Sequence, residues 1–333
     1  MPGITVTGGW FSSVIGILFF CFFMLQITYY LFKGTNMSYR LGINLGFAIN
    51  KFSEPESWTR VTRELGLRYV QFVADILNPF LPADYVKDQV SRIKKAAKEY
   101  DIVIESIFTS TFTRVNHMMS PDAEARKIWS AWFRRFLDIG AEFGAKNAGA
   151  HFGIMTFDTY NDPDRRKFIL DEGIKNWQEL SFYAKEKGYD CLIFEPMSIP
   201  REMANTIEET KELMDAVNAR CGVPLKVNLD VGHAPHPDQR DPYPWIEQLA
   251  AVSPVIHLQQ TVLHKSNHSP FTPEFNKTGI ISREKVMETV KKAGCTDSLF
   301  AFEISHREHW DTEFRIIQDL KESVEYWRKW VSD

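Results

Sequence analysis

From Tyr39 onward the chain alternates short apolar runs with longer stretches in which apolar residues recur at helical spacing. The short runs show little of the apolar–polar alternation of a half-exposed strand, so they are typical of strands covered on both faces. The predicted strands are Arg40–Phe47, Tyr69–Ala74, Ile102–Phe108, Asn147–Phe152, Cys191–Glu195, Leu225–Asp230, Val255–Leu258 and Leu299–Ile304.

The helical stretches fill the intervals between these strands. A glycine just past several of them, as at Gly66, Gly144 and Gly188, is the expected left-handed stop of a helix. Repeated strand–helix units favour a parallel sheet, and eight strands favour a single closed (β/α)₈ TIM barrel. The alternative is an open doubly wound sheet, which the lack of a G-x-G-x-x-G motif after the first strand and of a P-loop disfavours. The predicted helices are Glu56–Leu65, Ala83–Glu99, Ala123–Phe143, Glu172–Lys187, Glu208–Asn218, Pro244–Ala251, Ser282–Ala293 and Thr312–Val331.

Four of the predicted strands carry a metal-ligand type of residue at or near their ends: Glu195, Asp230, His257 and Glu303. In a barrel of parallel strands, active-site residues come from the C-terminal ends of several strands. Three carboxylates and an imidazole at one place suit a divalent cation such as Mn²⁺ or Mg²⁺. A single buried glutamate would have a structural explanation, but four such residues on successive units favour a shared metal site.

The motifs around these residues resemble those of the xylose-isomerase-like family of sugar and sugar-phosphate isomerases and epimerases. Glu195 stands in IFEP, Asp230 in NLDVGH, His257 in VIHLQQ and Glu303 in AFEIS. The resemblance implies that these four residues bind one divalent ion (Mn²⁺, Mg²⁺ or Co²⁺) and that the two glutamates also act as the acid/base pair. The Asp-x-x-His spacing is the most specific match, and it implies a substrate contact for His233.

The implied activity is a 3-epimerase of a small ketose or ketose phosphate, and the nearest branch is the tetrulose-phosphate 3-epimerases. Inverting a carbon beside a carbonyl requires proton removal and return through an enediolate, which a bound metal stabilises as a Lewis acid. An aldose–ketose isomerase on the same scaffold and a sugar-acid decarboxylase or lyase remain alternatives. A metal-dependent endonuclease of the same superfamily is disfavoured, because the pI is near 6.2 and only one ligand set is evident.

Further polar residues near the predicted barrel mouth are candidates for substrate binding. His151 ends the fourth strand and is either a substrate or supporting residue or a hydrogen-bonded core histidine. Arg201 stands where ketose 3-epimerases usually carry another glutamate, which indicates an anionic substrate or a different loop. The loops after the last two strands carry Lys265, His306 and Arg307. Many barrels bind a substrate phosphate there, although solvated loop charges are the common alternative.

The first 36 residues differ from the rest of the chain. Residues 1–32 contain no charged side chain, and Trp10–Phe32 is long enough to cross a bilayer as a helix. The segment lacks the basic start and the cleavage site of a signal peptide. Lys33 and Arg40 follow it, so a true anchor would leave the catalytic domain in the cytoplasm. We favour an over-extended reading frame with Met37 as the start.

The predicted organisation is therefore an apolar extension, 1–36, and a catalytic barrel, 37–333. The scattered cysteines fit a reducing compartment, so we expect a cytoplasmic enzyme. We also expect a homo-oligomer with a small sugar or sugar-phosphate substrate, and contact with a membrane only if the extension is real. The net charge of −4 argues against a nucleic-acid partner, which usually requires a basic surface.

Overall fold

Eight parallel strands form a closed barrel in chain order, and the last strand pairs with the first. The computed structural model describes residue 3 and residues 37–109, 117–197, 199–234, 237–308 and 311–331. The predicted barrel is confirmed, and the open sheet is excluded. The strands are β1 (Ser38–Asn44), β2 (Tyr69–Val73), β3 (Val103–Phe108), β4 (Asn147–His151), β5 (Cys191–Glu195), β6 (Leu225–Asp230), β7 (Val255–Leu258) and β8 (Asp297–Phe302).

Helices follow the strands and cover the outside of the barrel, so that the strands are buried on both faces. The helices of the described chain are α1 (Pro55–Glu64), α2 (Ala83–Glu99), α3 (Ala123–Phe143), α4 (Phe157–Asn161), α5 (Pro163–Glu186), α6 (Ile207–Asn218), α7 (Pro242–Leu249), α8 (Pro273–Asn276), α9 (Arg283–Lys292) and α10 (Ile316–Arg328).

The largest differences from the predicted elements lie at element ends. The first strand stops at Asn44, because its side chain accepts a hydrogen bond from the Gly46 N–H at 2.8 Å and starts a 3₁₀ turn. The helix before β5 begins at Pro163, earlier than predicted, because the Asp162 side chain caps it. The short helices α4 and α8 lie in loops where no helix was predicted.

Strand register sets the level of the side chains at the barrel mouth. Asp230 pairs with His257 across β6 and β7, and His151 pairs with Glu195 across β4 and β5. Gly149 permits the close approach of β4 and β5, since a Cβ there would lie 2.3 Å from the Ile193 carbonyl oxygen. The pairing of the backbones therefore brings the predicted ligands to one level at the C-terminal end of the barrel.

The barrel occupies the compact unit Ser38–Asp333. The predicted N-terminal extension lies outside the described residues, apart from Gly3. Within the residues that are described, no helix combines the length and the apolar character needed to cross a bilayer. The boundary between extension and catalytic domain stays a prediction.

Candidate active site

The four predicted ligands meet at the C-terminal end of the barrel. One ligand atom from each of Glu195, Asp230, His257 and Glu303 lies within 4.8 Å of all the others. His257 is at the centre, with Nδ1 3.0 Å from Glu195 Oε1 and 3.0 Å from Glu303 Oε2. Glu195, Asp230 and His257 are buried, whereas the Glu303 side chain is a quarter exposed. Hard oxygen ligands and one imidazole at this spacing are a donor set suited to a divalent cation.

A polar network below the ligands fixes the orientation of His257. Gln71, which is fully buried, accepts a hydrogen bond from His257 Nε2 at 2.6 Å and another from the Asn44 amide at 2.7 Å. Its own amide donates to Ser106 Oγ at 3.1 Å and to Asn228 Oδ1 at 3.2 Å. With the proton on Nε2, the Nδ1 lone pair faces the carboxylates, which is the arrangement that a metal-binding histidine needs.

The ionisable groups of the cluster shift one another's pKa values. Burial alone would raise the pKa of Glu303, but the His257 imidazole outweighs it and holds that pKa well below its usual value. Burial alone would lower the pKa of His257, whereas the carboxylates of Glu303 and Glu195 raise it well above the ordinary value. Burial raises the pKa of Asp230. A positive charge within the cluster therefore favours the ionised form of its carboxylates, against the effect of burial.

Two of the predicted ligands, Glu195 and Glu303, line a cavity of about 290 Å³. His151 and His233 line it, and both contact Glu195: His151 Nε2 is 3.5 Å from Oε2, and His233 Nδ1 is 3.6 Å from Oε1. Phe108 forms an apolar part of the wall and meets His151 edge to face. The structure thus brings both predicted histidines to the cavity that Glu195 and Glu303 line.

The remaining predicted substrate-binding residues lie at different places in the structure. Arg307 lines this cavity, whereas Lys265 lines a neighbouring one. His306 is buried, with Nε2 3.0 Å from the Asp319 carboxylate. The Arg201 guanidinium donates to the Met155 carbonyl oxygen at 2.7 Å and lies over the ring of Phe157. Neither His306 nor Arg201 lines the cavity, and a substrate contact for these two residues stays a prediction.

Two residues that were not predicted complete the site. Gln259 donates to both Asp230 oxygens, at 3.1 and 2.9 Å, and accepts from the backbone N–H of His268 at 2.6 Å. His268 lines the cavity, with Nε2 3.3 Å from His233 Nε2 and Nδ1 3.5 Å from Glu303. Strand alternation could have identified Gln259, since it lies two positions after His257 on the same face. His268 lies in a loop and carried no such signal.

A second group of potential ligands overlaps the first. Asp230 and Glu303 belong to both groups, and His233 and His268 replace Glu195 and His257 in the second. The first group has three carboxylates, whereas the second has two. A hard cation prefers the group with more oxygen ligands, so the predicted set is the better candidate.

Comparison with known proteins gives the family. The family model for xylose isomerase-like TIM barrels matches residues 59–330. Over 297 residues the chain is 32% identical to the D-erythrulose 1-phosphate 3-epimerase of Brucella abortus, covering 87% of this chain and 96% of that protein. The chain belongs to the xylose isomerase-like TIM barrel family. The relative also confirms the predicted enzyme class, an isomerase of the epimerase type.

Solved structures agree with this assignment. A putative xylose isomerase from Rhodospirillum rubrum superposes with a TM-score of 0.80 at 26% identity, covering 88% of this chain and 99% of that one. The D-psicose 3-epimerase of Clostridium cellulolyticum, with D-tagatose, superposes with a TM-score of 0.67 over 87% of this chain and 98% of that one. At 14% identity the second match bears on the fold alone.

Proposed function

We propose that this protein is a divalent-metal-dependent 3-epimerase of a small ketose phosphate, with a tetrulose phosphate as the preferred substrate. The observation that carries the proposal is the position of Glu195 and Glu303, whose carboxylates both lie 3.0 Å from His257 Nδ1 at the floor of one cavity. Two carboxylates placed at a single small site suit the removal of a proton by one and its return by the other.

The residues present fit a divalent ion. Glu303 Oε2 is buried and, although it is close to His257 Nδ1, has no hydrogen-bond donor in the described part of the chain. A cation held by Glu195, Asp230, His257 and Glu303 would satisfy this oxygen and balance the three carboxylates. Such an ion supplies Lewis-acid stabilisation of the negative charge that develops on the substrate. Mn²⁺, Mg²⁺ and Co²⁺ are the candidates.

The side chains have distinct tasks in this proposal. One glutamate removes the C3 proton of the ketose and the other delivers a proton to the opposite face, which inverts the centre. His233 and His151 flank Glu195 and line the cavity, so they are placed to hold it in position and to donate hydrogen bonds to the substrate. Phe108, Phe47 and Ile304 line the same cavity and exclude water from the reacting carbon.

The substrate assignment has two supports. The Brucella abortus relative is named for D-erythrulose 1-phosphate, and basic side chains lie in the loops around the barrel mouth. We propose a cytoplasmic site of action, because Cys191, Cys221 and Cys295 are free thiols, as is usual in a reducing compartment.

Hydrogen exchange in D₂O tests the two-base mechanism. Glu195→Gln and Glu303→Gln each remove one proton acceptor at nearly constant size, so each should abolish net epimerisation of D-erythrulose 1-phosphate. The variant that keeps the forward base should still exchange the C3 hydrogen without inversion, provided that it binds metal. If one variant loses both exchange and inversion while the other keeps both, a single base is at work. With unphosphorylated D-erythrulose, whose C1 hydroxyl is free, exchange at C1 instead of C3 would favour an aldose–ketose isomerase.

Metal removal tests the cofactor independently of mechanism. Asp230→Asn should weaken the binding of Mn²⁺ and lower activity together, because a neutral amide replaces a charged hard ligand. Metal that binds the native state raises thermal stability, by about 2.7 kcal/mol at a hundred times its dissociation constant. Full activity after exhaustive chelation, or the same thermal shift with Mn²⁺ in the variant, would contradict the metal site.

A further inference from the structure

A second cavity, of about 230 Å³, opens beside the active-site cavity. The loops after β6 and β7 form it, and its wall includes His233, Arg240, His264, Lys265 and Ser266. His233 also lines the active-site cavity, so the two cavities share this residue. The second cavity therefore lies close to the metal-ligand cluster, because His233 Nδ1 is 3.6 Å from Glu195 Oε1.

The two cavities differ in charge. The second cavity has Arg240, Lys265 and His264 in its wall, and none of its described lining residues is an aspartate or glutamate. These three side chains form no ion pair or hydrogen bond within the described parts of the chain. The active-site cavity, in contrast, is lined by Glu195 and Glu303. A divalent ion would offset only part of the charge of the three carboxylates, whereas the second cavity presents a guanidinium and an ammonium group that attract a phosphate dianion.

The second cavity is held in shape by contacts of its loops. Thr261 Oγ1 donates to the carbonyl oxygen of Lys265 at 2.6 Å. His264 has a φ of 69°, a conformation that a non-glycine residue keeps only where the surrounding contacts impose it. Gln239, directly before Arg240, accepts a hydrogen bond from a backbone N–H at the start of α6 at 2.9 Å. The cationic groups are thus presented from anchored backbone, which lowers the entropy cost of binding an anion.

We propose that the second cavity is the phosphate subsite and that it selects ketose 1-phosphates. The proposal rests on the epimerase function proposed above. His233 lies 3.6 Å from Glu195 and 3.8 Å from Asp230, so a phosphate on its far side is only a few bonds from the reacting carbons. A phosphate on C1, the carbon beside the carbonyl, is close enough to the reacting carbons to reach the second cavity. A phosphate at the far end of a hexulose is too distant from them. Lys265 and Arg240 bind the phosphate, and Arg307, in the acidic cavity, is left to contact sugar hydroxyls.

Substrate selectivity is the first test, with the metal-loaded full chain. The measured quantity is the ratio of kcat/KM for D-erythrulose 1-phosphate to that for D-erythrulose. Lys265→Gln and Arg240→Gln should each lower this ratio about ten-fold or more, since a hydrogen bond between charged groups is lost. D-Fructose 1-phosphate should be bound more tightly than D-fructose 6-phosphate. Lys277→Gln, an exposed lysine outside both cavities, controls for a general loss of positive charge and should leave the ratio unchanged.

Arg307→Gln distinguishes the two possible positions of the phosphate. If this variant lowers the selectivity ratio and the changes at Lys265 and Arg240 do not, the phosphate lies in the active-site cavity and the proposal is overturned. Equal effects of Lys265→Gln and Lys277→Gln would also overturn it, because they would indicate long-range attraction rather than a subsite.

Binding of inorganic phosphate provides a test that does not depend on turnover. Calorimetry should show phosphate binding to the wild type and a loss of at least ten-fold in affinity in the Arg240→Gln/Lys265→Gln double variant. This result supports the subsite even if no tetrulose is epimerised, in which case the proposed function fails alone. Equal phosphate affinity in wild type and double variant would refute the subsite whatever the activity. Because both side chains project into a cavity at the surface, the variants should retain the wild-type melting temperature.

Discussion

The buried amide of Gln71 should control metal affinity although it lies outside the ligand set. Its oxygen accepts from His257 Nε2 at 2.6 Å, and this contact selects the tautomer with a free Nδ1. Gln71→Met keeps the approximate volume and removes the acceptor. Loss of a hydrogen-bond partner behind a metal-bound histidine typically lowers metal affinity 10- to 100-fold, which corresponds to about 1.4–2.7 kcal/mol.

The same substitution should also lower the free energy of unfolding. It leaves two buried donors, His257 Nε2–H and the Asn44 amide, without their acceptor. At about 1–3 kcal/mol for each buried unsatisfied donor, the loss is about 2–6 kcal/mol. Stability and metal affinity are therefore measured separately, the first by urea unfolding without metal and the second by titration with Mn²⁺.

Ser106→Ala is the matched control for Gln71→Met. Ser106 accepts from the Gln71 amide at 3.1 Å and donates to Asn147 at 2.6 Å, and within the described residues neither hydrogen bond involves His257. The control should cost stability while leaving the Mn²⁺ dissociation constant within about two-fold of wild type, since the Gln71 oxygen can still accept from His257 Nε2. Unchanged Mn²⁺ affinity in Gln71→Met, or an equal loss in both variants, would refute the argument from the tautomer.

Three further outcomes are expected. A protein that starts at Met37 should fold and be fully active if the extension is not part of the enzyme; loss of folding would show that the extension packs into the domain. Burial lowers the pKa of His117 from 6.5 to about 3, so the unfolded chain binds a proton that the native state does not. Between those values stability should fall with decreasing pH by about 1.4 kcal/mol per unit, and an unchanged slope in His117→Phe would contradict this. Gly149→Ala should lower the free energy of unfolding by about 1–3 kcal/mol through overpacking against Ile193, and an unchanged urea midpoint would show that β4 and β5 separate at no cost.

The sequence was most informative where an apolar strand pattern ends in a residue of metal-ligand type. The strands β5, β6 and β7 were predicted with the observed bounds, and the ligands at their ends were found with them. This worked because buried parallel strands are mainly apolar, so a carboxylate or an imidazole at or near the end of such a strand is conspicuous. Glu303 follows β8 directly and was recognised in the same way.

Loop side chains were harder to predict, because their direction depends on packing against distant segments. Lys265, His306 and Arg307 were expected to act on one phosphate. In the structure His306 pairs with Asp319 in α10, whereas the other two residues line different cavities. No local sequence pattern predicts which cavity or partner each of these loop side chains contacts. The role of His268 depends on a loop turn with a φ of 50°, which sequence spacing does not reveal either.

The positions of the side chains at the barrel mouth depend on strand register. Asp230 pairs with His257 across β6 and β7, and His151 pairs with Glu195 across β4 and β5. A slip of one residue in either pairing would turn these side chains to the opposite face of the sheet. A substitution that disturbs the strand pairing would therefore also disrupt the reaction centre. The loop that carries Lys265 lies beyond those strand pairings. Exchanging that loop between relatives should therefore transfer substrate preference without rebuilding the reaction centre, which makes it the natural unit for directed evolution of new sugar specificities.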